Sequence, residues 1–393
     1  MDKEAKEIRV LFKFSSNSTW MGGVNYFRNL FRAMSMVEDP KIIPYIDYNG
    51  DFYSLYSEFA KNSILKRKKG IKYIIGLLLN FFFHANYNLD DIKSKTYIEF
   101  DITSHCSAID KKPNIQWIPD FQHCYLPQMF TKKEIKARNK QFLKIAKKSD
   151  IVLLSSNDAL KDFNKFSPKY GYKGRTLHFV SYQDINIYSK TDLLYPMLKE
   201  KFNLPDKYFF LPNQFWKHKN HQIVFTALTI LSKRGLPDVT VICTGNTSDY
   251  RNPEYFPFLK AYIETNGLEK NVKILGLIEY EEMICLLRYS LALLQPSLFE
   301  GWSSTIEEAK SIGKNCILSN LPVHIEQNPP DSVFFDPNNA EELADIMEEI
   351  YNKTLGQPNY KLEELARLHM NERMLQFGNE YKEIVVSLLN TRK

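Results

Sequence analysis

Glu300 and Glu308 stand eight positions apart in the stretch LALLQPSLFEGWSSTIEEAKSIGKNCILSN, residues 291–320. Glu300 is followed by Gly301, where a backbone without a Cβ lets a ligand come close. Glu308 falls about one turn into a helix that should open near Ser304, because Ser304 with Glu307 three residues later reads as a capping box. A carboxylate in a first helical turn often does no more than complement the helix dipole. That reading covers Glu307 well and Glu300 poorly, since Glu300 precedes the helix. Two acceptors on either side of helix-terminal amides suit a ligand with sugar hydroxyls at both ends and a phosphate between them.

The flanking residues name the elements that must hold these groups. Leu291–Leu294 is an apolar run of strand length, ended by Pro296. Gly313 should stop the helix, and Cys316–Leu318 reads as the next strand. Strand, turn, helix and strand in this order form a unit of a parallel α/β sheet, and such sheets bind ligands at the carboxyl ends of their strands.

The segment EGWSSTIEEA resembles the Glu-x7-Glu signature of the retaining nucleotide-sugar glycosyltransferases of the family 4 type. That family has the GT-B fold: two Rossmann-like doubly wound α/β domains facing across a cleft. The resemblance implies that Glu300 meets the donor sugar and that Glu308 meets the ribose hydroxyls. It places Gly301, Trp302, Ser303 and Thr305 at the donor, with Trp302 and Ser303 where sugar specificity would be set. The expected donor is a UDP- or GDP-sugar, with no cofactor and no metal, since no Asp-x-Asp motif is evident.

Further positions follow from the same resemblance. The family has an Arg after one strand and a Lys five or six residues later, both on the donor diphosphate. In YFFLPNQFWKHKNH, Lys219 fits the Lys, while the Arg position falls on Asn213 or Gln214; Lys217 or His218 could restore a charge. Leu277 and Ile278, after Gly276, would line the base through their backbone. Gly22 and Gly23 are expected between a first strand, Val10–Phe14, and a helix from near Val24, as a glycine loop facing the diphosphate. After the strand Ile115–Ile118 the family carries a His-Asp pair. Here Asp120 and Pro127 match, Pro119 takes the His position, and His123 is the candidate for a hydrogen bond to the donor sugar or to a transferring proton. Glu300, Lys219 and His123 are thus the expected catalytic groups. The bland readings of a loop lysine, a turn glycine pair and a surface histidine stand beside these.

Composition sets the frame. The chain has 393 residues, 44% of them hydrophobic, which suits two globular domains. Residues 1–190 hold 31 Lys+Arg against 19 Asp+Glu, a net of +12, and residues 191–393 hold 21 against 27, a net of −6; the sum is the overall +6. The basic half points at an anionic partner. No nucleic-acid motif is present, so nucleic acid is not expected. Lys66–Phe83 joins a basic cluster to an apolar block of about 13 residues, short of the roughly 20 that span a bilayer and of the kind that lies on an anionic membrane surface. A buried element with a solvated basic loop is the alternative. The basic run Lys132–Lys148 reads equally as a solvated helix face.

The five cysteines, Cys106, Cys124, Cys243, Cys285 and Cys316, include no CxxC pair and suggest neither zinc nor a disulfide framework. The charged start MDKEAKEIRV predicts a cytoplasmic protein, at most peripheral on the inner face of the membrane. Alternating short strands and helices predict doubly wound sheets; the resemblance implies an acceptor-binding domain over 1–190, a donor-nucleotide domain over 191–370 and a terminal helix over 371–393 that returns to the first domain. The function expected is retaining transfer of a sugar to a hydroxyl of a glycan or polyprenyl-linked acceptor in surface polysaccharide assembly. The alternatives are a nucleotide-sugar epimerase of the same fold, or a catalytically silent sugar- or lipid-binding subunit.

Overall fold

The computed structural model describes residues 7–12, 21–46, 56–62, 64–68, 94–97, 100–105 and 112–391. The chain divides into two compact units. Unit 1 takes Met1–Trp117, Lys147–Leu153 and Leu375–Lys393; unit 2 takes Ile118–Ala146 and Leu154–Met374.

Unit 1 is built on β1 (Glu7–Phe12), β2 (Lys41–Ile46), β3 (Lys61–Asn62), β6 (Ile102–Ser104), β7 (Asn114–Ile118) and β8 (Ile151–Leu154), side by side in the order β3-β2-β1-β6-β7-β8. A separate antiparallel pair joins β4 (Ile64–Lys68) to β5 (Ser94–Tyr97). Helix α1 (Met21–Ser35) lays Phe27 and Phe31 against Phe12 of β1, with ring centroids 6.2 and 4.7 Å away. These edge-to-face aromatic contacts are part of the core of this unit.

One expectation changes here, and another falls largely outside the described residues. The first helix starts at Met21 rather than near Val24, so Gly22 and Gly23 form its first turn instead of a loop before it. The basic start of Lys66–Phe83 is strand β4, and residues 69–83 lie outside the described residues. Among the described residues no helix is long and apolar enough to cross a membrane.

Unit 2 carries a sheet of six parallel strands: β10 (Phe209–Pro212), β11 (Val241–Thr244), β12 (Val272–Ile274), β13 (Leu293–Gln295), β14 (Cys316–Ser319) and β15 (Val333–Phe335). A short strand, β9 (Gly174–Thr176), precedes them in the chain. The sheet order is β12-β11-β10-β13-β14-β15. The chain starts in the middle, winds to one edge, then crosses back and winds to the other, which is the order of a doubly wound nucleotide-binding sheet. The strands are apolar on both faces because helices cover both. Phe209 and Leu211 point into one core with Val241, Cys243 and Leu294, while Phe210 points into the other with Ile242, Leu293 and Leu318. The apolar run Leu177–Val180 that follows β9 forms no strand; β9 ends at Thr176.

The helix that carries Glu308 runs Ser304–Ile312 and stops at Gly313, as its sequence predicts. Gly313 has φ +69°, and a Cβ there would stand 2.3 Å from the Leu362 carbonyl. Leu362 belongs to the last helix, Tyr360–Asn390, so this glycine lets one helix end against another's backbone. Arg288 fastens the same helix from below: its guanidinium makes a two-pronged bond to Glu363 at 2.7 and 3.0 Å. Replacing Gly313 by Ala adds both left-handed strain, about 1–2 kcal/mol, and a backbone collision. We expect G313A to lower unfolding free energy by more than about 2 kcal/mol, read as a fall in the urea midpoint at unchanged slope.

Candidate active site

The two middle strands of unit 2, β10 and β13, lie next to each other although 80 residues separate them in the chain, and the winding reverses between them. Loops leaving their carboxyl ends must diverge, which opens a crevice. β10 delivers Asn213 to this crevice, and β13 ends in Gln295. Asn213 Nδ2 donates to Gln295 Oε1 at 2.9 Å, so a buried amide pair bridges the switch point.

Glu300 hangs from this bridge. Gln295 Nε2 donates to Glu300 Oε1 at 3.0 Å, Ser297 Oγ to the same oxygen at 2.7 Å, and Lys219 Nζ at 2.6 Å. Lys219 ends the short turn Lys217–Lys219 after β10. Its side chain and that of Glu300 are 15% and 11% exposed, so the pair is nearly dry. Burial, the largest single influence, would raise the Glu300 carboxyl, but the Lys219 ammonium together with the other groups around it holds the acid down at about 2. Glu300 is therefore a fixed anion and a poor proton donor.

Gly301 follows at close quarters. A Cβ there would lie 2.4 Å from the Pro119 carbonyl oxygen and 2.8 Å from Asp120 Cβ. The glycine is thus required by the approach of the loop after β7, and it sets Asp120 beside the Glu300 turn. Trp302 turns its indole outward from that turn: Nε1 donates to the Phe179 carbonyl at 3.1 Å, and the ring stacks on His178 with centroids 4.5 Å apart. His178 is bonded in turn to Glu326.

The helix cap corrects the sequence expectation. Ser303, not Ser304, is the N-cap, accepting from the Ile306 amide. Glu307 makes no capping box, because its carboxylate is taken by Arg373 at 2.6 Å and by Gln327 at 3.1 Å. Gln327 also accepts from Ser303 N and donates to Ser303 O, both at 3.0 Å. One buried amide side chain thereby pairs with Ser303 as a neighbouring strand would. Thr305 sits half-buried in the first turn of this helix.

Glu308 lies on the same helix in opposite surroundings. It is 4% exposed, and burial pushes its carboxyl up to about 8 against a lowering hydrogen bond from the Tyr280 hydroxyl. Ile278, half-buried between β12 and the helix Tyr280–Tyr289, packs in the core that this helix shares with Ile306 and Ala309.

The structure thus brings Asn213, Lys219, Glu300, Gly301 and Ser303 together and places Glu308 farther along their helix. Other expected residues lie elsewhere. Lys217 is exposed and gives its backbone amide to Asp249 at 3.2 Å. His218 is buried, and desolvation lowers it to about 3, so it adds no charge in place of the missing arginine. His123 is 1% exposed, bonded to Asn139 at 2.8 Å and packed against Phe142 and Phe130. Gly22 and Gly23 belong to unit 1. Sequence reasoning missed Gln295, Ser297 and Gln327. For Gln295 a signal existed: a polar residue closes an otherwise apolar strand at the end where ligands bind.

Residues 197–372 match the family model described as "Glycosyl transferases group 1". No curated protein sequence matches the chain. Several solved structures share its fold. Anabaena Alr3699/HepE, solved with UDP and glucose, is 16% identical with a TM-score of 0.65, over 97% of this chain and 100% of that one. A glycosyltransferase from Rickettsia africae ESF-5 is 16% identical with a TM-score of 0.64, over 98% and 99% of the two chains. The alpha,alpha-trehalose-phosphate synthase (UDP-forming) of Burkholderia vietnamiensis is 10% identical with a TM-score of 0.61, over 99% and 98%. The chain has the two-domain α/β fold of GT-B type, and the match over its second half supports a glycosyltransferase.

Proposed function

We propose that the protein transfers a sugar from a UDP- or GDP-sugar to a hydroxyl of a glycan or polyprenyl-linked acceptor, with retention at the anomeric carbon and without a metal. The observation that carries this reading is the dry Lys219–Glu300 pair at the switch point, clamped by Gln295 and Ser297 and flanked by the N-terminus of the helix that holds Glu308. Such a place offers a cation and helix amides to a diphosphate, one anion to a sugar on its near side and one acid to a ribose on its far side.

The roles follow from the chemistry. Lys219 and the helix amides stabilise charge that develops on the diphosphate as it leaves, commonly the largest catalytic contribution. Glu300 and the backbone of Gly301–Ser303 orient the sugar. The bond from the anomeric carbon to the diphosphate oxygen breaks while the bond to the acceptor oxygen forms on the same face. The acceptor's proton passes to the departing phosphate oxygen, so no protein base is required. We assign His123 to packing because its ring is enclosed and bonded to Asn139. Trp302 contributes to the donor through its backbone, since its indole is held by Phe179 and His178.

The reading is tested by offering the protein a panel of sugar nucleotides with and without lipid-linked acceptors. Nucleotide release that depends on the acceptor supports transfer. A changed sugar nucleotide made without acceptor would indicate an epimerase, and no turnover or binding of any donor would indicate a silent subunit.

Two outcomes are expected of the site residues. K219A should lower kcat by roughly 10²–10³-fold, and it should also loosen the fold locally, because Glu300 loses the partner that keeps a buried charge stable. Glu308 gives a pH dependence whose sign is fixed. In the free protein it loses its proton only near pH 8. A carboxylate accepts from two ribose hydroxyls at once, which the protonated acid does not. Donor KM should therefore fall as pH rises from 7 to 9. E308Q should raise donor KM by roughly 10–100-fold, the worth of hydrogen bonds to a charged group, and should flatten that pH dependence.

A further inference from the structure

The turn that follows Glu300 is held from outside by side chains that neither the Glu-x7-Glu spacing nor the family match picks out. His178 and Phe179 lie just past β9, in the run Leu177–Val180 that forms no strand. The His178 ring stacks on the Trp302 indole with centroids 4.5 Å apart and 20° between the planes. The next residue, Phe179, accepts from Trp302 Nε1 through its carbonyl at 3.1 Å. Two consecutive residues therefore fix both the plane and the edge of the indole.

His178 is itself held. Its Nε2 lies 2.5 Å from Glu326 Oε1. The same carboxylate accepts from the Asn157 amide at 2.6 Å and from the Asp158 amide at 3.2 Å, at the start of the helix Asn157–Phe166. Burial, the largest single influence, would raise the Glu326 carboxyl, but the bonds from His178 and from these amides hold it below the ordinary range. An ionised carboxylate only accepts, so Nε2 carries the proton and donates to it. Glu326 belongs to the short helix Pro322–Gln327, whose last residue bonds Ser303 N and Ser303 O, both at 3.0 Å. Neighbouring residues of one helix thus reach neighbouring residues of the turn. Gln327 takes the Ser303 backbone directly, and Glu326 takes the Trp302 side chain through His178.

We propose that His178 is a positioning residue for sugar transfer, its ring fixing Trp302 so that the backbone of Gly301–Ser303 keeps the place from which it orients the donor sugar. This rests on the role given above to that backbone. Gly301 must lack a Cβ because the Pro119 carbonyl approaches it, and a glycine has the widest backbone freedom of any residue. No side chain of its own can hold it. Trp302, the next residue, supplies the missing constraint, and it does so only while its indole stays in one rotamer. His178 keeps it there, backed by a carboxylate that two helix amides hold in turn. A displacement of about 1 Å in a positioning group can cost about 10²-fold in rate, so a ring that never touches the sugar still bears on turnover.

The test uses the full chain, with UDP and GDP as titrants and steady-state kinetics on the sugar nucleotide that turns over in the panel. H178A removes the ring and its bond to Glu326. We expect kcat to fall about 10-fold or more while nucleotide affinity stays within about twofold, because Lys219 and Glu308 are held without His178. H178F keeps a flat ring against the indole and loses the bond, so its kcat should lie between those of wild type and H178A. H178F also fills the same space, and it carries the test if H178A does not fold. The emission of Trp302, taken as the difference between wild type and W302F, should move to longer wavelength in H178A as the indole gains water. A ring that only packs would lower the urea midpoint of both variants and leave kcat unchanged where each is folded, and that result overturns the proposal. An equal loss of kcat and of UDP or GDP affinity overturns it too, since the whole site would then have loosened. If wild type turns over no donor with any acceptor, the transfer reading itself fails, and the proposal falls with it.

Discussion

One ion pair governs the chemistry of unit 2. Lys219 and Glu300 come from loops after different strands, 81 positions apart, and meet at 2.6 Å with little water around them. Neither charge is tolerable there alone, because transferring an unpaired ion out of water costs several kcal/mol. Each therefore depends on the other, and both depend on the strand order that sets β10 beside β13. The Asn213–Gln295 bond ties those two strand ends directly. Gln295 and Ser297 then complete the coordination of the Glu300 oxygen that Lys219 already touches. The constraint runs from topology to charge: only a sheet that crosses over at this point can bring these five side chains into one place.

Two acids at the start of one helix are tuned in opposite senses. Glu300, just before it, is held far below the usual carboxylate range by an ammonium. Glu308, one turn inside it, is pushed far above that range by burial and is relieved only by a tyrosine hydroxyl. Between them, Glu307 does something different again. It receives Arg373 and Gln327, and so ties the helix Ser304–Ile312 to the last helix and to the cap residue Ser303. Three neighbouring acidic residues thus divide into an anion, a neutral acid near pH 7 and a structural tie, and the difference comes entirely from what each one faces.

Much of this was legible in the sequence. The apolar runs at 208–211, 239–244, 272–275, 291–294 and 316–318 each mark a strand of unit 2 to within two residues. Gly313 announced the helix end because only a residue without a Cβ suits φ +69° against Leu362. The cap was misplaced by one residue because Ser303 and Ser304 are equivalent to local pattern rules; Gln327, 24 positions away, makes Ser303 the cap. His123 resembled a loop histidine because the packing of Phe130 and Phe142 around it is tertiary. Gly22 and Gly23 read as a turn because glycine is a poor helix former, yet α1 begins before them. Local signals fixed the elements, while side-chain partnerships across 20 to 170 residues decided which groups were buried, charged or free to act.

The missing arginine sharpens the role of Glu300. A second cation would ordinarily share the charge of a diphosphate, but Asn213 occupies one candidate position and is spent on Gln295. His218 is buried and neutral. Under the proposed function Lys219 carries the cationic part, and an ammonium this dry is costly unless an anion lies beside it. Glu300 supplies that anion, yet it engages only one of the three N–H donors of the ammonium. Under the proposed function the acid has two uses that cannot be separated by position: it faces the sugar, and it is the buried partner of the lysine proposed to face the phosphates. A neutral isostere at 300 would preserve the shape of the crevice while weakening the field within it, so loss of a group on the sugar side would be felt at the leaving group.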